Sequence, residues 1–355
     1  MGYLTIVALD LGKFKSVLCV MDVTTRTHRF STVESTPAGI RDAVRPLVSS
    51  DPAQTLVVFE TCDTCGWVHD EVAPLGVKIV IVNANDERWR WQRVKRKTDQ
   101  DDALKLARLA LLDQLPMVHL PDPQQRQRRR LMIHRRSIVS RRTQCRNAIR
   151  SIFSQQGIAL ARGQKQWTIA GIEQLQGHAR PIEACSIDEL WKGRLNSELL
   201  LMASINTQLK ALDNKLDELA DPRMKLLQTL KGVGPRTAEA VVLYVDDPKR
   251  FKSGEELASY AGLVPKQLQS GEMNRLGHIT HRGPGLLRSM LVEAAWTIYR
   301  HNAWAQVFVN KISHGSKARR KLAIVALAKK VLIILWGMLK SNQPFRSPLT
   351  AAGVD

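Results

Sequence analysis

The stretch "LTIVALDLGKFKS", residues 4–16, decides the fold of the N-terminal part of the chain. Its first half is an apolar run with the aliphatic and β-branched residues of a buried strand. One carboxylate, Asp10, closes the run, and glycine and lysines follow it. A carboxylate inside such a run is costly to bury unless a partner compensates it. The sequence therefore predicts that Asp10 has a compensating partner.

Outward from this run, the first 118 residues predict a mixed α/β sheet. Short apolar runs of strand length alternate with helical spacing, and turn residues separate them. The predicted order is β-β-β-α-β-α-β-α, which gives a mixed sheet with helices on its faces. The predicted strands are 3–9, 16–22, 28–33, 55–60 and 76–83, and the predicted helices include 36–47 and the segment from Thr98 onward.

Three more acidic residues join Asp10 in this pattern. Glu60 ends a predicted strand, and Asp99 and Asp102 stand three residues apart at a helix start, where they share one face. Four carboxylates placed in this way can hold two Mg²⁺ ions about 4 Å apart, an arrangement used for phosphodiester chemistry. The ions would screen the carboxylates from one another, so that we expect Asp10 to hold metal.

Two alternatives stay open for these residues. Asp99 or Asp102 taken alone fits an ordinary helix-start residue, and strand-end acids are often solvated. Thr98 and Asp101 can form a capping box, which leaves the other two aspartates for a ligand. Residues 9–16 also resemble the first phosphate loop of the actin-like kinases and chaperones. A second such loop and a glycine-rich adenosine motif are missing from the expected places.

The composition indicates a polyanionic partner. The chain has 355 residues, of which 44% are hydrophobic, and its formal net charge is +20. A surplus of this size favours nucleic acid first and an anionic membrane surface second. The longest apolar stretch, 322–339, is split by Lys329 and Lys330 and predicts a buried helix rather than a membrane span. Five cysteines without the spacing of a disulfide framework, and an N-terminus without signal-peptide features, predict a protein of the reducing cytoplasm.

Two basic segments are candidates for binding nucleic acid. Residues 124–150 carry ten arginines on a helical apolar rhythm, and no acidic residue lies between Asp122 and Glu173. Residues 88–97 interleave tryptophan with basic residues, which suits stacking and phosphate contact. The alternative is a solvated basic face with one tryptophan in the core. The candidate RNA-binding residues are Trp89, Trp91, Arg93, Lys95, Arg128, Arg129, Arg130, Arg135 and Arg136.

The C-terminal half predicts helices. Residues 196–220 have heptad-like spacing typical of a coiled coil or bundle, whereas 158–192 have no clear pattern. In the stretch 226–245, "KGVGPR" joins two apolar-faced helices, and Gly232 and Gly234 let the backbone approach a phosphate. This stretch resembles the helix-hairpin-helix motif that grips duplex DNA. The alternative is a plain αα-turn with glycine caps.

Two further features are weak signals. The centre of residues 257–291 predicts loops, and Ser270 there is an ordinary turn residue by its type alone. Cys62, Cys65 and His69 offer too few ligands for a structural zinc site.

Taken together, these motifs resemble one family of enzymes. "ALDLGK" (8–13), "VVFETC" (57–62) and "KTDQDDALKLARL" (97–109) are similar to the DEDD-type transposases of bacterial insertion sequences. "LKGVGPRTA" (230–238) and the two segments "LASYAGLVP" and "SGEMNRLGHITHRG" are similar to their C-terminal domain. The family is the IS110 family, which is related to the Piv invertase. The resemblance covers nearly the whole chain.

The resemblance implies a role for each part of the chain. Residues 1–118 would be a RuvC-like domain of the RNase H fold, with Asp10, Glu60, Asp99 and Asp102 as its metal-binding tetrad. Residues 119–222 would be a basic helical and coiled-coil region for RNA binding and dimerisation. Residues 223–342 would be a mostly helical transposase domain with Ser270 as nucleophile, followed by a tail, 343–355. Its candidate DNA-binding residues are Gly232, Gly234, Arg236 and Arg275.

The resemblance also implies partners. They are double-stranded donor and target DNA, a structured guide RNA called a bridge RNA, and further copies of the chain in dimers and tetramers, with no membrane. Asp63 after Glu60 and Glu272 after Ser270 depart from the usual pattern, but the tetrad is intact by type. The alternative function is a RuvC-like nuclease that uses water and does not need Ser270.

Overall fold

The computed structural model describes residues 2–83, 98–270 and 273–347. The chain divides into two compact units, Met1–Arg126 and Gln127–Asp355. The first holds a mixed sheet, and the second is mostly helical.

The N-terminal unit is a five-stranded sheet in the order β3-β2-β1-β4-β5. Its strands are β1 Thr5–Asp10, β2 Lys15–Asp22, β3 His28–Glu34, β4 Thr55–Glu60 and β5 Lys78–Val82. Its helices are α1 Pro37–Val44, α2 Cys65–Val72 and α3 Asp99–Leu111. The β1–β2 and β2–β3 pairs are antiparallel, and β1–β4 and β4–β5 are parallel. The mixed sheet predicted from the sequence is confirmed.

Alternate residues of the central strands face opposite layers of the unit. Ile6 and Ala8 of β1 pack in the core that α3 completes with Leu106. Val7 and Leu9 pack in the core beneath α1 and α2. Because side chains alternate along a strand, the residue two beyond Ala8 is on the side of α3.

The C-terminal unit contains most of α4 Pro123–Gln155 and the elements after it. These are α5 Ile169–His178, α6 Leu190–Glu218, α7 Arg223–Leu227, α8 Pro235–Val245, α9 Gly254–Tyr260, β6 Pro265–Ser270, β7 Met273–Ile279, α10 Gly285–His301, α11 Ala303–Ser313 and α12 Arg320–Ser341. One core joins α4 to α6, and a larger core surrounds α12.

Helix α12 tests the expectation for the apolar stretch 322–339. By length and hydropathy it is the one helix of the described residues that could cross a membrane. It places Ala328, Val331, Leu332 and Leu335 in the core of the C-terminal unit with no exposed surface. The buried helix expected from the sequence is therefore present.

Two segments differ from the expectation. The stretch 158–192, for which the sequence shows no clear pattern, contains α5. The Thr168 hydroxyl caps this helix by accepting a hydrogen bond from the Gly171 amide at 3.3 Å. Leu175 is the one residue that α5 buries, which explains the missing apolar pattern. The predicted loop within 257–291 is wrong, because β6 and β7 form a hairpin there. Lys266 and Gln267 of β6 are adjacent and both exposed, and consecutive polar residues such as these do not show the apolar alternation that reveals strands.

Candidate active site

Two of the four predicted metal ligands end neighbouring parallel strands. Leu9 of β1 pairs with Phe59 of β4, so Asp10 and Glu60 follow at the same level of the sheet. Each lies two residues beyond an α3-facing core residue, Ala8 or Val58, and both are half-buried. The strand register therefore places the two carboxylates side by side on the α3 face, at the carboxyl ends of the strands.

Helix α3, which packs on this face through Leu106, carries the other two acidic residues in its first turn. A capping box fixes its start: the Thr98 amide donates to Asp101 Oδ2 at 3.1 Å, and the Asp101 amide donates to Thr98 Oγ1 at 3.2 Å. Asp102 is 8% exposed and precedes the core residue Ala103, whereas Asp99 is exposed. Acidic residues in the first turn interact favourably with the partial positive charge of a helix N-terminus.

The four carboxylates do not form a closed ligand set in the described residues. In the described ranges 2–83, 98–270 and 273–347, no group of three or more His, Cys, Asp or Glu side chains is placed to hold a metal ion. Carboxylates of like charge repel one another, so a cation is needed to draw such side chains together. The strand register thus places Asp10 beside Glu60, α3 adds the nearly buried Asp102 to the unit's core layer, and the assignment of the tetrad as metal ligands stays a prediction.

The predicted nucleophile lies at the end of the β6–β7 hairpin. Ser270 is the last residue of β6 and pairs with Met273, which leaves two residues between the strands. A two-residue loop that begins with glycine is a hairpin signal, and "SGEM" carries it, so the sequence could have revealed this turn. Arg275, a predicted DNA ligand, lies in β7 opposite Leu268.

Residues that the sequence analysis missed hold the base of this hairpin. Gly262 and Gly283 both have positive φ, and a Cβ at either would collide with a backbone carbonyl, of Arg282 or of Tyr260 respectively. Arg288 of α10 donates from Nη1 to the carbonyls of Ala261 and Arg282, each at 3.0 Å. Burial lowers the pKa of Arg288. The glycines of the "YAGL" and "HRGPG" segments therefore allow the two chain segments to cross closely beneath the strands.

The segment predicted as a helix-hairpin-helix contains α7, a turn and α8. Gly232 has φ +107°, and a Cβ there would lie 2.7 Å from Ile298 Cγ1, so close packing against α10 requires this glycine. Gly234 is the N-cap of α8, is exposed and has open space around it. The turn thus has one glycine that serves packing and one whose backbone can be approached by a ligand.

Arg236, predicted to bind DNA, points to carboxylates of its own unit. Its guanidinium lies 2.5 Å from Glu239 Oε2 and 3.5 Å from Asp213 Oδ1, and it also pairs with Asp217. Only 13% of the side chain is exposed. Burial raises the pKa of Glu239, and the neighbouring guanidinium groups of Arg236 and Arg128 oppose that effect. These contacts support a structural role for Arg236.

Several predicted RNA ligands on α4 also have intramolecular partners. Arg129 donates to the Leu243 carbonyl from Nε at 2.9 Å, and its guanidinium lies 4.8 Å from the ring centroid of Tyr244. Arg135 binds both carboxylate oxygens of Asp213, at 2.7 and 3.0 Å.

The other candidates on α4 vary in their surroundings. Arg128 lies 3.7 Å from Glu239, Arg136 donates to Ser289, and Arg130 is exposed. The candidates in 88–97, namely Trp89, Trp91, Arg93 and Lys95, lie outside the described residues. RNA binding by this set stays a prediction.

Comparison with known families identifies the chain. Residues 7–157 match a DEDD-type IS110 transposase family, and residues 224–310 match the family described as Transposase IS116/IS110/IS902. The chain belongs to the IS110 family of DNA transposases. The two matches cover the strand-end acids, α3 and the hairpin that carries Ser270, so the resemblance inferred from the motifs is confirmed.

Individual known proteins are similar to the chain over most of its length or over part of it. The Sinorhizobium fredii protein y4pF/y4sB, named a transposase, is 32% identical over 264 residues, which are 71% of this chain and 65% of that protein. A Pseudomonas aeruginosa protein named a family 20 transposase is 26% identical over 345 residues, 96% of this chain and 98% of that protein. The pilin gene-inverting protein of Moraxella lacunata is 32% identical over 147 residues, 41% and 45% of the two chains. The chain thus spans just under two thirds of the first relative and nearly all of the second.

Proposed function

We propose that this transposase cuts and rejoins the DNA of an insertion sequence through a covalent serine intermediate, assisted by a Mg²⁺-binding tetrad. The tetrad would be Asp10, Glu60, Asp99 and Asp102, and the nucleophile Ser270. The observation that carries the proposal is the register of β1 and β4, which puts Asp10 and Glu60 side by side on the face covered by α3. The strand order β3-β2-β1-β4-β5 supports a RuvC-like domain.

The donor set fits the proposed ion. All four groups are carboxylates, and hard oxygen ligands are those that Mg²⁺ prefers. Asp102 is a nearly buried carboxylate among them, and a cation offsets the cost of removing its charge from water. Bound Mg²⁺ ions would polarise the phosphate oxygens and stabilise the charge that develops during phosphoryl transfer.

The serine step balances as a transesterification. The bond from Ser270 Oγ to phosphorus forms as the bond from phosphorus to the 3′ oxygen breaks. The serine hydroxyl gives up its proton, and the departing oxygen takes one up to become a free 3′-hydroxyl. The phosphate stays esterified to serine on one side and to the 5′ oxygen of the other DNA end. Attack of a 3′-hydroxyl on this phosphoserine would rejoin the strand and release the enzyme.

The proposed partners are DNA, a structured guide RNA and further copies of the chain, acting in the bacterial cytoplasm on the nucleoid. The charge of +20 and the acid-free segment 123–172 support polyanionic partners. The exposed turn at Gly234 and the start of α8 supports backbone contact with duplex DNA as in a helix-hairpin-helix. Base pairing by RNA would then select the target, so the protein need not encode the target sequence.

A covalent-adduct trap tests the catalytic proposal. The full-length protein is incubated with labelled element-junction DNA, Mg²⁺ and RNA transcribed from the element flanks, and products are separated under denaturing conditions. We expect a protein–DNA adduct that Ser270→Ala and Asp102→Asn both abolish. The matched controls are Ser259→Ala, an exposed serine of α9, and Asp101→Asn, the acid of the capping box, and both should retain the adduct.

The same experiment distinguishes the alternative function. Cleavage without an adduct, persisting in Ser270→Ala but abolished in Asp102→Asn, would identify a nuclease that uses water and would exclude the serine mechanism. An adduct that survives Asp102→Asn would instead show that the chemistry does not need Asp102.

A further inference from the structure

An arginine–tryptophan cluster lies at the C-terminal end of α4, and none of its residues is among the individual RNA-binding candidates named above. The guanidinium groups of Arg146 and Arg150 lie 4.9 and 5.2 Å from the ring centroid of Trp167, which is half-buried. Cation–π contacts of this kind hold a guanidinium in place without neutralising it. Arg150 also donates from Nη2 to the Gly163 carbonyl at 3.3 Å. Trp167 and this bond thus fix two positive charges in position.

In the part of the chain that the structure describes, no ion pair neutralises the arginines of this cluster. The segment 123–172 holds no acidic residue, and within the described residues neither Arg146, Arg150 nor the exposed Arg162 has an ion pair. Arg146 Nε is buried without a hydrogen-bond partner in the same part of the chain. Burial lowers the pKa of Arg146, and the charges of Arg142 and Arg150 lower it further. Such repulsion is relieved when an anion binds.

The cluster borders a recess of suitable size. A cavity of about 360 Å³ is lined by Arg150 and Ser154 of α4 and by the segment 158–163, which includes Arg162. Its volume lies in the range of ligand-binding pockets. Two arginines and one serine are among its lining residues, and guanidinium and hydroxyl groups are donors that bind phosphate oxygens. We call these residues, together with Arg146 and Trp167, the Arg–Trp cleft.

We propose that the Arg–Trp cleft binds the sugar–phosphate backbone of an unpaired RNA nucleotide. The shape of the site favours this partner, because a recessed pocket admits a nucleotide that projects from a loop or bulge. Phosphates of an intact duplex lie along its outer surface, and recognition of RNA is concentrated in such unpaired regions. The inference rests on the proposed RNA partner, and it adds a contact site that is independent of the catalytic residues.

Binding of the full-length protein to a short single-stranded RNA tests the cleft. We expect Arg150→Gln/Arg162→Gln to weaken RNA binding about tenfold. In a plot of the logarithm of the binding constant against the logarithm of the salt concentration, the slope should become less steep by about 0.7 for each phosphate that the variant no longer binds. Trp167→Leu should also weaken binding, whereas Trp167→Phe, which keeps an aromatic face for the guanidinium groups, should retain it. Lys210→Gln, which removes one charge from an exposed lysine of α6 outside the cleft, is the control and should bind as the wild type does.

Three outcomes would overturn the inference. They are unchanged affinity and salt slope in the double variant, equal weakening by Lys210→Gln, and equal weakening of the binding of duplex DNA and of single-stranded RNA. Ultraviolet crosslinking adds a local measurement, since RNA should crosslink to the peptide that contains 158–167. Asp102→Asn should bind this RNA normally. The two proposals can therefore fail separately: RNA binding by the cleft can be present when no adduct forms, and an adduct can form when the cleft variants bind RNA normally.

Discussion

At the residue scale, Asp102 allows a direct test of whether the candidate active site binds Mg²⁺. Its side chain is nearly buried on the face where Asp10 and Glu60 end their strands. A ligand that binds only the folded state raises the melting temperature by mass action. We expect Mg²⁺ to raise the melting temperature of the wild type, and Asp102→Asn to lower the Mg²⁺ affinity at least about tenfold. Thermal unfolding over a Mg²⁺ titration measures both effects.

The control for this prediction is the neighbouring acid. Asp101 serves the capping box, and an asparagine there keeps an oxygen that can accept the Thr98 amide hydrogen bond. Asp101→Asn should therefore retain the response to Mg²⁺. If Asp102→Asn responded to Mg²⁺ as strongly as the wild type, the tetrad would not include this residue.

At the scale of elements, Arg223 at the start of α7 links this helix to the end of α8. It pairs with Asp221 through Nη2 at 2.8 Å and donates to the Asp246 carbonyl beyond α8 at 2.9 Å. Burial raises the pKa of Asp221, but the hydrogen bonds and charge of Arg223 outweigh burial, so this pKa lies below its ordinary value. A carboxyl with a lowered folded-state pKa stabilises the protein above its unfolded-state pKa and loses that effect as pH falls through the folded value.

We therefore expect Asp221→Asn to lower the free energy of unfolding by about 1 kcal/mol at neutral pH, a figure reduced for the solvent exposure of Arg223. The difference in unfolding free energy between the two proteins should be constant from about pH 8 to pH 5, because the carboxyl is ionised there in both the folded and the unfolded state. It should shrink below about pH 4, where the carboxyl takes up a proton. Urea unfolding of both proteins across this range measures it. A difference that grew on acidification would contradict the assigned direction. Asp247→Asn, whose carboxylate accepts only the Lys249 amide among the described contacts, is a nearby comparison.

The same scale shows what the sequence can predict. Strand β4 was predicted at 55–60 and lies there, and the capping box of Thr98 and Asp101 forms as expected, because both depend on neighbouring residues. The partners of the α4 arginines could not be predicted. Arg135 meets Asp213 from 78 residues away, and Arg129 meets Leu243 from 114 residues away. From the sequence, the arginines of α4 were predicted to form one basic surface. In the structure, some of them instead bind distant residues of the same unit.

At the scale of the whole molecule, the uncompensated charge lies in two long segments. No acidic residue occurs in 123–172 or in 294–354, although both contain many lysines and arginines. Salt bridges with distant acids account for Arg128 and Arg135 in the first segment. The Arg–Trp cleft keeps its charge and is therefore a stronger candidate for a polyanion than the segment's composition alone suggests.

The last prediction concerns assembly of the chain, which the proposed function needs as a dimer or tetramer. Helix α6 buries Leu199 and Met202 against α4 but leaves Leu200 and Leu201 exposed at 65% and 51%. Covering two such side chains contributes roughly 1.5–3 kcal/mol each. We expect Leu200→Glu/Leu201→Glu to raise the dissociation constant of the oligomer at least about tenfold. Light scattering after size-exclusion chromatography measures this, with the exposed Leu322→Glu of α12 as control. An unchanged oligomer in the double variant would place the interface elsewhere, whereas dissociation would assign it to this face of α6.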